Sequence, residues 1–465
     1  VEKEELERKL NARLGLAAPA ADAHPFDLAK ALPADAVFID LVRYNRVPAA
    51  PGPGVLVVPG LTLRADDPHY AAFVVAPGKR PRRIELGPAK PIDAAVASWR
   101  AAIAAPYGKA DERGPAREVG RLVWAKVDAE LPAGTRTVYL AVDGPLTRVP
   151  FVALPGRGAD TVLLEELTII AVPNGPYLFD NLKNPPAPRA GKGRMLVVGG
   201  VDYGPAGAAR PGARPPAPAL PGTATEAALI EKLARDTGRA DPVTLTGAAA
   251  TTAAALDELP KVRFAHVATH GFFAGRGAGK EFGLDPLAFA TGPRDLRTAG
   301  ARNPLVLSGL MLAGANRADD SGLLTAEVLA GRRLAEMDLA VLSACETGLG
   351  EEFGGEGALG LQRVFHLTGC RTVVTSLWQI DDEATRDLMS RFYKHLWSGP
   401  GVSPATALRA AQLEVYRESR RGGARRPRVP IVSATPAPPP PAGKPARDYD
   451  ADTSAWAAFV VSGVP

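Results

Sequence analysis

The stretch LAVLSACETGLG, residues 339–350, decides how the rest of the chain is read. Leu339 to Leu342 is a short apolar run, which predicts a strand buried on both faces, and Ser343-Ala344 carries it to its end at Cys345. A thiol then stands at a strand end. Gly348 and Gly350 let the chain turn sharply just beyond it and leave backbone N–H groups free beside the sulfur. Upstream, FAHVAT (264–269) is a second short apolar run, and it ends in His270-Gly271. A thiol attacks as thiolate, and a free cysteine is only slightly ionised at neutral pH. A positioned imidazole that takes its proton corrects this, which makes Cys345 and His270 a candidate nucleophile and base. About 75 residues separate them, room for a crossover helix between parallel strands, so the two ends can meet in space. For either residue alone, a buried structural cysteine or a satisfied core histidine is the competing reading.

Bulk properties narrow the alternatives. A chain of 465 residues can hold two or three domains and bury a large core. Lys+Arg 55 against Asp+Glu 50 leaves +5, too small a bias over this length to imply nucleic acid. No apolar run approaches the roughly 18 residues that span a bilayer. The opening EKEELERKL has no secretory pattern, so a soluble, cytoplasmic protein without a membrane partner is expected. Two cysteines, Cys345 and Cys370, give no disulfide framework and fit a reducing compartment. Cys370 opens the apolar run CRTVVTSLW and is expected to be a small buried residue. A first residue of Val points to a piece of something longer.

Strands and helices alternate outward from the two motifs. Residues 1–35 include an amphipathic helix with Leu6, Leu10, Leu14 and Leu16 among charges. The runs at 36–44, 70–76 and 84–87 predict an antiparallel meander, 92–103 and 118–131 helices, and 137–142 a strand. Residues 36–184 thus form an α/β subdomain with no His-Gly or Ala-Cys pair of its own. The joint NPPAPRAGKG (184–193) divides it from residues 193–465, and apolar 163–172 demands cover, so the halves are expected to pack together. In the second half, 195–199 predicts the start of a second sheet, and Thr223 or Thr225 caps the helix after it. A helix at 251–259, the His270 strand ending at 269, a strand at 338–342, a helix at 357–367, a strand at 371–378 and a helix at 382–397 follow. This predicts an α/β fold with a doubly wound, mostly parallel sheet, whose sites form at carboxyl ends of strands, where His270 and Cys345 lie. Residues 420–448 hold too many prolines for a folded element and read as an insertion, Pro-rich near 434–447. WAAFVV (456–461) predicts a returning last strand.

No G-x-S-x-G, G-x-x-x-x-G-K-[ST], H-E-x-x-H or C-x-x-C occurs, so serine hydrolase, P-loop and zinc chemistry lack their anchors, and no cofactor or metal is expected. His24, His69, His366 and His395 read as structural or solvent-facing. His266 shares the strand face of His270 and reads as packing that could touch the site.

The segments DGPLTRVPFVALP (143–155), HVATHGFF (266–273), NPLVLSGLMLAGAN (303–316), VLSACETGLGEEFGGEGALGLQRVF (341–365) and SLWQIDDEATRDLMSRFY (376–393) resemble the CHAT family of caspase-like cysteine peptidases, relatives of caspases and separase. The resemblance runs in one order over nearly the whole chain. It implies a caspase-like fold with a pseudo-enzymatic first half, Cys345 as nucleophile, His270 as base, and the N–H groups of Gly271 and Cys345 as oxyanion hole. It also implies a protein or peptide substrate, a bacterial role in signalling or defence, gasdermin-like proteins as one target class, and an activating partner for a latent site. The Ala, Gly, Pro and Arg content resembles high-GC bacterial proteins.

Asp381 and Asp382 carry two readings. They cap the helix that follows, or a carboxylate there floors the pocket for the residue before the scissile bond, as a matching aspartate does in separase-like relatives, with Asp382 the better fit. Glu356, in the EEFGGEG loop, is a further pocket candidate beside its plainer reading as solvated loop. Two functions from different classes follow: an endopeptidase working through a His–Cys dyad, or a silent caspase-like scaffold that binds a partner. Retention of both His270 and Cys345 favours the first.

Overall fold

A computed structural model describes residues 24–46, 67–105, 110–185, 189, 191–205, 216–273, 308–317, 321–345, 356–378, 380–421 and 453–464. The expected first helix, the Gly-rich stretch after Phe273, Glu346 and the Pro-rich insertion lie outside the described residues.

The strands are β1 (Ala36–Asn45), β2 (Pro68–Val75), β3 (Arg82–Pro88), β4 (Thr137–Val142), β5 (Thr168–Ala171), β6 (Gly193–Val201), β7 (Ala240–Gly247), β8 (Phe264–Phe273), β9 (Ser308–Met311), β10 (Leu323–Thr325), β11 (Leu339–Cys345), β12 (Thr372–Ser376) and β13 (Phe459–Gly463). Helices that matter for the site are α1 (Ala89–Ala104), α2 (Pro221–Thr237), α3 (Glu356–Leu367), α4 (Asp382–Leu396) and α5 (Pro404–Arg420).

One mixed, mostly parallel sheet runs through the described residues in the order β7-β6-β8-β11-β12-β13-β5-β4-β1-β2-β3, with the β9-β10 hairpin joined to the far end of β8. The strands β7, β6, β8, β11 and β12 are mutually parallel. β13 is antiparallel to β12 and parallel to β5, so the first-half strands β5, β4 and β1 run the opposite way from the second-half set. The β1-β2-β3 meander closes the far edge. The expected second sheet is therefore not separate: the last strand of the chain zips both halves into a single sheet.

Burial on both faces explains the unbroken apolar runs. Leu339, Val341 and Val374 pack on one face against α2 and α4, while Ala340, Leu342 and Val373 pack on the other with Leu361, Val364 and Phe365 of α3. Covering each of these Leu, Val or Phe side chains contributes roughly 1.5 to 3 kcal/mol. Helix α1 buries Ile92, Val96, Trp99 and Ile103, the i, i+4, i+7 stripe that its sequence predicts. Polar side chains pin the joint. Arg100 donates to the Leu377 carbonyl at 3.0 Å and lies over the Trp378 ring. Arg189, from the Pro-rich joint, reaches Asp338 and the Ala335 carbonyl. Buried His366 bridges Tyr177 of the first half at 3.1 Å and Ser462 of β13 at 2.9 Å.

Four local expectations change. β8 continues past His270 to Phe273 because β9 offers a partner there. β7 was masked in the sequence by an Asp-Pro pair and scattered polarity; it forms as an edge strand, where the missing N–H of Pro242 costs nothing. Helix α2 begins at Pro221 without a side-chain cap, and Thr223 instead accepts from the Gly200 N–H and donates to the Leu220 carbonyl. The expected helix over 118–131 starts earlier and passes through a π-helical turn at Gly120–Trp124. Cys370 is buried, as its apolar context predicts.

Candidate active site

Strand β8 is parallel to β11, and its register runs from Phe264 opposite Leu339 to His270 opposite Cys345. The pairing fixes the backbone of the two residues side by side where the ladder stops. From Gly271 onward β8 pairs with β9, Gly271 lying opposite Leu310. On the other side, the Ser376 hydroxyl at the end of β12 donates to the Ala344 carbonyl at 3.2 Å, tying down the residue before Cys345.

His270 is 8% exposed, and its Nε2 lies 2.8 Å from the carbonyl oxygen of Pro218. A carbonyl only accepts, so Nε2 carries the proton and donates it. Burial pushes the imidazole pKa below its ordinary value, and the Pro218 bond opposes this only in part. At neutral pH the ring is therefore uncharged with a lone pair on Nδ1, the form of a base. Its plane is fixed by Tyr203, whose ring centroid is 5.1 Å away and whose hydroxyl reaches Thr269 at 2.9 Å.

The carbonyl that orients His270 is itself held. Asn316 accepts from the Ala217 N–H at 2.7 Å and donates from Nδ2 to the Ala217 and Gly204 carbonyls at 3.1 and 3.0 Å. One side-chain amide thus grips the residue before Pro218 from both sides. Sequence reasoning missed Asn316, Pro218 and Tyr203. The only trace was the polar Asn closing the apolar word LAGAN, since a backbone carbonyl has no sequence signature of its own.

At the neighbouring strand end the two aspartates divide their work. Asp381 caps α4, accepting from the N–H groups of Glu383 and Ala384 at 3.0 and 3.1 Å. Asp382 opens the helix, and its Oδ2 accepts from the Gly222 N–H in the first turn of α2 at 3.0 Å. A side chain at Gly222 would collide with that carboxyl, so only glycine permits the contact. Partial burial raises the Asp382 pKa, opposed by the Gly222 bond and reinforced by Asp381 and Glu226. Asp382 therefore joins the start of α4 to the start of α2, close in the chain to Pro218. Glu356 is the first residue of α3, the helix after the Cys345 segment.

His266 shares the face of His270 but serves the core. Its Nε2 donates to Glu226 of α2 at 3.0 Å, and Nδ1 meets the Tyr393 hydroxyl of α4 at 3.1 Å, all three side chains being buried. Burial keeps Tyr393 protonated by raising its pKa well above the usual range. The triad locks α2 and α4 against β8 beneath the site. Removing one member would leave buried polar atoms unpaired, a loss of about 1 to 3 kcal/mol. Among the described residues no group of three His, Cys, Asp or Glu is placed to hold a metal ion. No helix among them is long and apolar enough to cross a membrane.

The CHAT domain family model matches residues 113–464, most of the chain. The protein belongs to the CHAT domain family. A search of curated proteins finds no match. Among solved structures this CHAT domain is similar to Saccharomyces cerevisiae separase in two complexes with securin, each at 11% identity and TM-score 0.39, over 75% of the present chain. It is similar also to the Arg-specific cysteine proteinase gingipain R, at 10% identity and TM-score 0.39, over 74% of this chain and 66% of that one. The CHAT domain spans only 16 and 17% of the separase chains it matches.

Proposed function

We propose that this CHAT domain is a cysteine endopeptidase that hydrolyses peptide bonds of a protein substrate, with Cys345 as nucleophile and His270 as base. The observation that carries the reading is the parallel register that makes His270 and Cys345 neighbours in the carboxyl-terminal parts of β8 and β11. Alternation along β11 assigns position 345 to the face of Leu339 and Val341, and alternation along β8 assigns His270 to the same face.

In the proposed reaction Nδ1 of His270 takes the thiol proton while Nε2 stays bonded to the Pro218 carbonyl, and the sulfur adds to the scissile carbonyl carbon. The oxyanion that forms is met by the N–H groups of Gly271 and Cys345. His270 then protonates the leaving amine, a thioester remains, and the imidazole activates the water that hydrolyses it. The Pro218 carbonyl does for the base what a carboxylate does in a triad: it fixes the tautomer, without adding a full charge.

Asp382 is the proposed floor of the pocket for a basic residue before the scissile bond, with Asp381 and Glu356 as further candidates. Its raised pKa supports this: burial outweighs the weak pull of Arg386, so a partly desolvated carboxylate gains from a guanidinium brought by substrate. The setting proposed is bacterial and cytoplasmic, in signalling or defence, with gasdermin-like proteins among the targets, and the first half is proposed to brace the second as a pseudo-caspase-like subdomain. Cleavage of a peptide library, followed by mass spectrometry, tests the core of it. Products ending in Arg or Lys that vanish with Cys345→Ala support the reading, and products that persist in that variant refute it.

A further inference from the structure

A cavity between the two halves plays no part in the chemistry above. It lies where α5 crosses β4, β5 and β13, and with its open mouth included it holds about 790 Å³ of empty space. Both halves supply the wall, Leu140 and Leu164 from the first, Leu408 and Val461 from the second. Most of the lining is aliphatic or aromatic, with Thr147, Thr168, Gln362 and Gln412 as its neutral polar members, which suits an apolar ligand better than water.

One charged side chain stands among the described residues that line it, Arg409 of α5. Its Nε donates to the Leu167 carbonyl at 3.0 Å and its Nη2 to the Glu165 carbonyl at 2.9 Å. Those bonds fix the guanidinium plane but supply no negative charge, and Nη1 has no partner among the described residues. No carboxylate among them forms an ion pair with Arg409. Burial, and after it the cation Arg417, lowers its pKa. A half-buried guanidinium without a counter-ion, at the wall of an apolar space, is complementary to one chemical class: an apolar chain ending in a planar anion that can take two parallel N–H bonds.

We propose that this cavity is a binding site for a small aliphatic carboxylate, the chain lying among Leu140, Leu164, Leu408 and Val461 and the carboxylate on Arg409. Because the wall belongs to both halves, occupancy should also tighten their joint. Octanoate, kept below its micellar range, is the probe. Calorimetric titration of the full chain should show saturable binding and a raised melting temperature. Octan-1-ol, the same chain without the charge, should bind about tenfold more weakly or worse. Arg409→Gln should abolish the preference for octanoate, and Ala405→Leu, which narrows the cavity, should weaken both probes. Failure of octanoate to saturate, equal affinity for acid and alcohol, or a preference that survives Arg409→Gln each overturns the proposal. If Ala405→Leu fails to fold, the acid and alcohol comparison on the unaltered chain still decides.

Discussion

The Nε2 of His270 and the carbonyl oxygen of Pro218 lie 2.8 Å apart, and that one bond determines which ring nitrogen keeps its lone pair. The tautomer of the imidazole follows from a carbonyl that Asn316 holds in place through Ala217, while Tyr203 packs against the ring.

Asn316 should therefore matter to catalysis without touching substrate. Asn316→Ala removes the grip on Ala217, and Asn316→Asp keeps the acceptor but loses both donated bonds. Each should lower kcat by about tenfold or more, about 1.4 kcal/mol, with KM little changed and the fold intact by circular dichroism. Steady-state kinetics on a cleaved reporter peptide checks this. Wild-type kcat in Asn316→Asp would reduce Asn316 to a loop tie.

Asp382 is a charge and a hydrogen-bond acceptor at once, and Asp382→Asn separates the two. The amide oxygen can still accept from the Gly222 N–H, so the link between α4 and α2 survives. If the carboxylate binds a basic side chain, kcat/KM for substrates with Arg before the scissile bond should fall by roughly 2 to 5 kcal/mol, and slow turnover of an apolar substrate should be unchanged. Equal kcat/KM in both proteins would leave Asp382 with its structural bond alone and pass the pocket to Asp381 or Glu356.

His366 makes stability depend on pH. It projects from α3 and is buried against Tyr177 and Ser462, and burial pulls its pKa down from 6.5 to about 4. Above pH 6.5 the ring is neutral in both folded and unfolded chains, so nothing changes. Between 6.5 and about 4 the unfolded chain takes up a proton that the folded one refuses, and stability falls as pH falls, by about 3 kcal/mol at most. Urea midpoints of the native protein and of His366→Gln, measured from pH 7 to pH 4, should converge as pH drops. Parallel curves would assign the acid loss to other groups.

How much of this was legible in the sequence depended on where each interaction keeps its information. Strands β8 and β11 were readable because burial on both faces demands a short unbroken apolar run, whereas the end of β8 was not, because its partner there, β9, lies far away in the sequence. The Asp381 cap was readable because a cap acts on its own helix. Asp382 bonding Gly222, 160 positions away, was not, since the partner is a backbone N–H exposed only when two helix ends meet. β7 was hidden by its Pro, which an edge position tolerates. WAAFVV announced a last strand, but not that it would lie between β12 and β5 and merge the halves into one sheet, because strand order is set by packing between distant segments.

The central claim is that the register of β8 and β11 makes Cys345 a thiol activated by His270. Alkylation by iodoacetamide, followed residue by residue through peptide mapping, tests it most directly. Cys370 serves as internal control: it is 2% exposed, donates to the Thr372 carbonyl, and has its pKa pushed up to about 12 by burial. Cys345 should be modified many times faster than Cys370 at pH 7, and His270→Ala should slow Cys345 while leaving Cys370 as it was. Equal rates at the two cysteines, or a Cys345 rate indifferent to His270→Ala, would contradict the account.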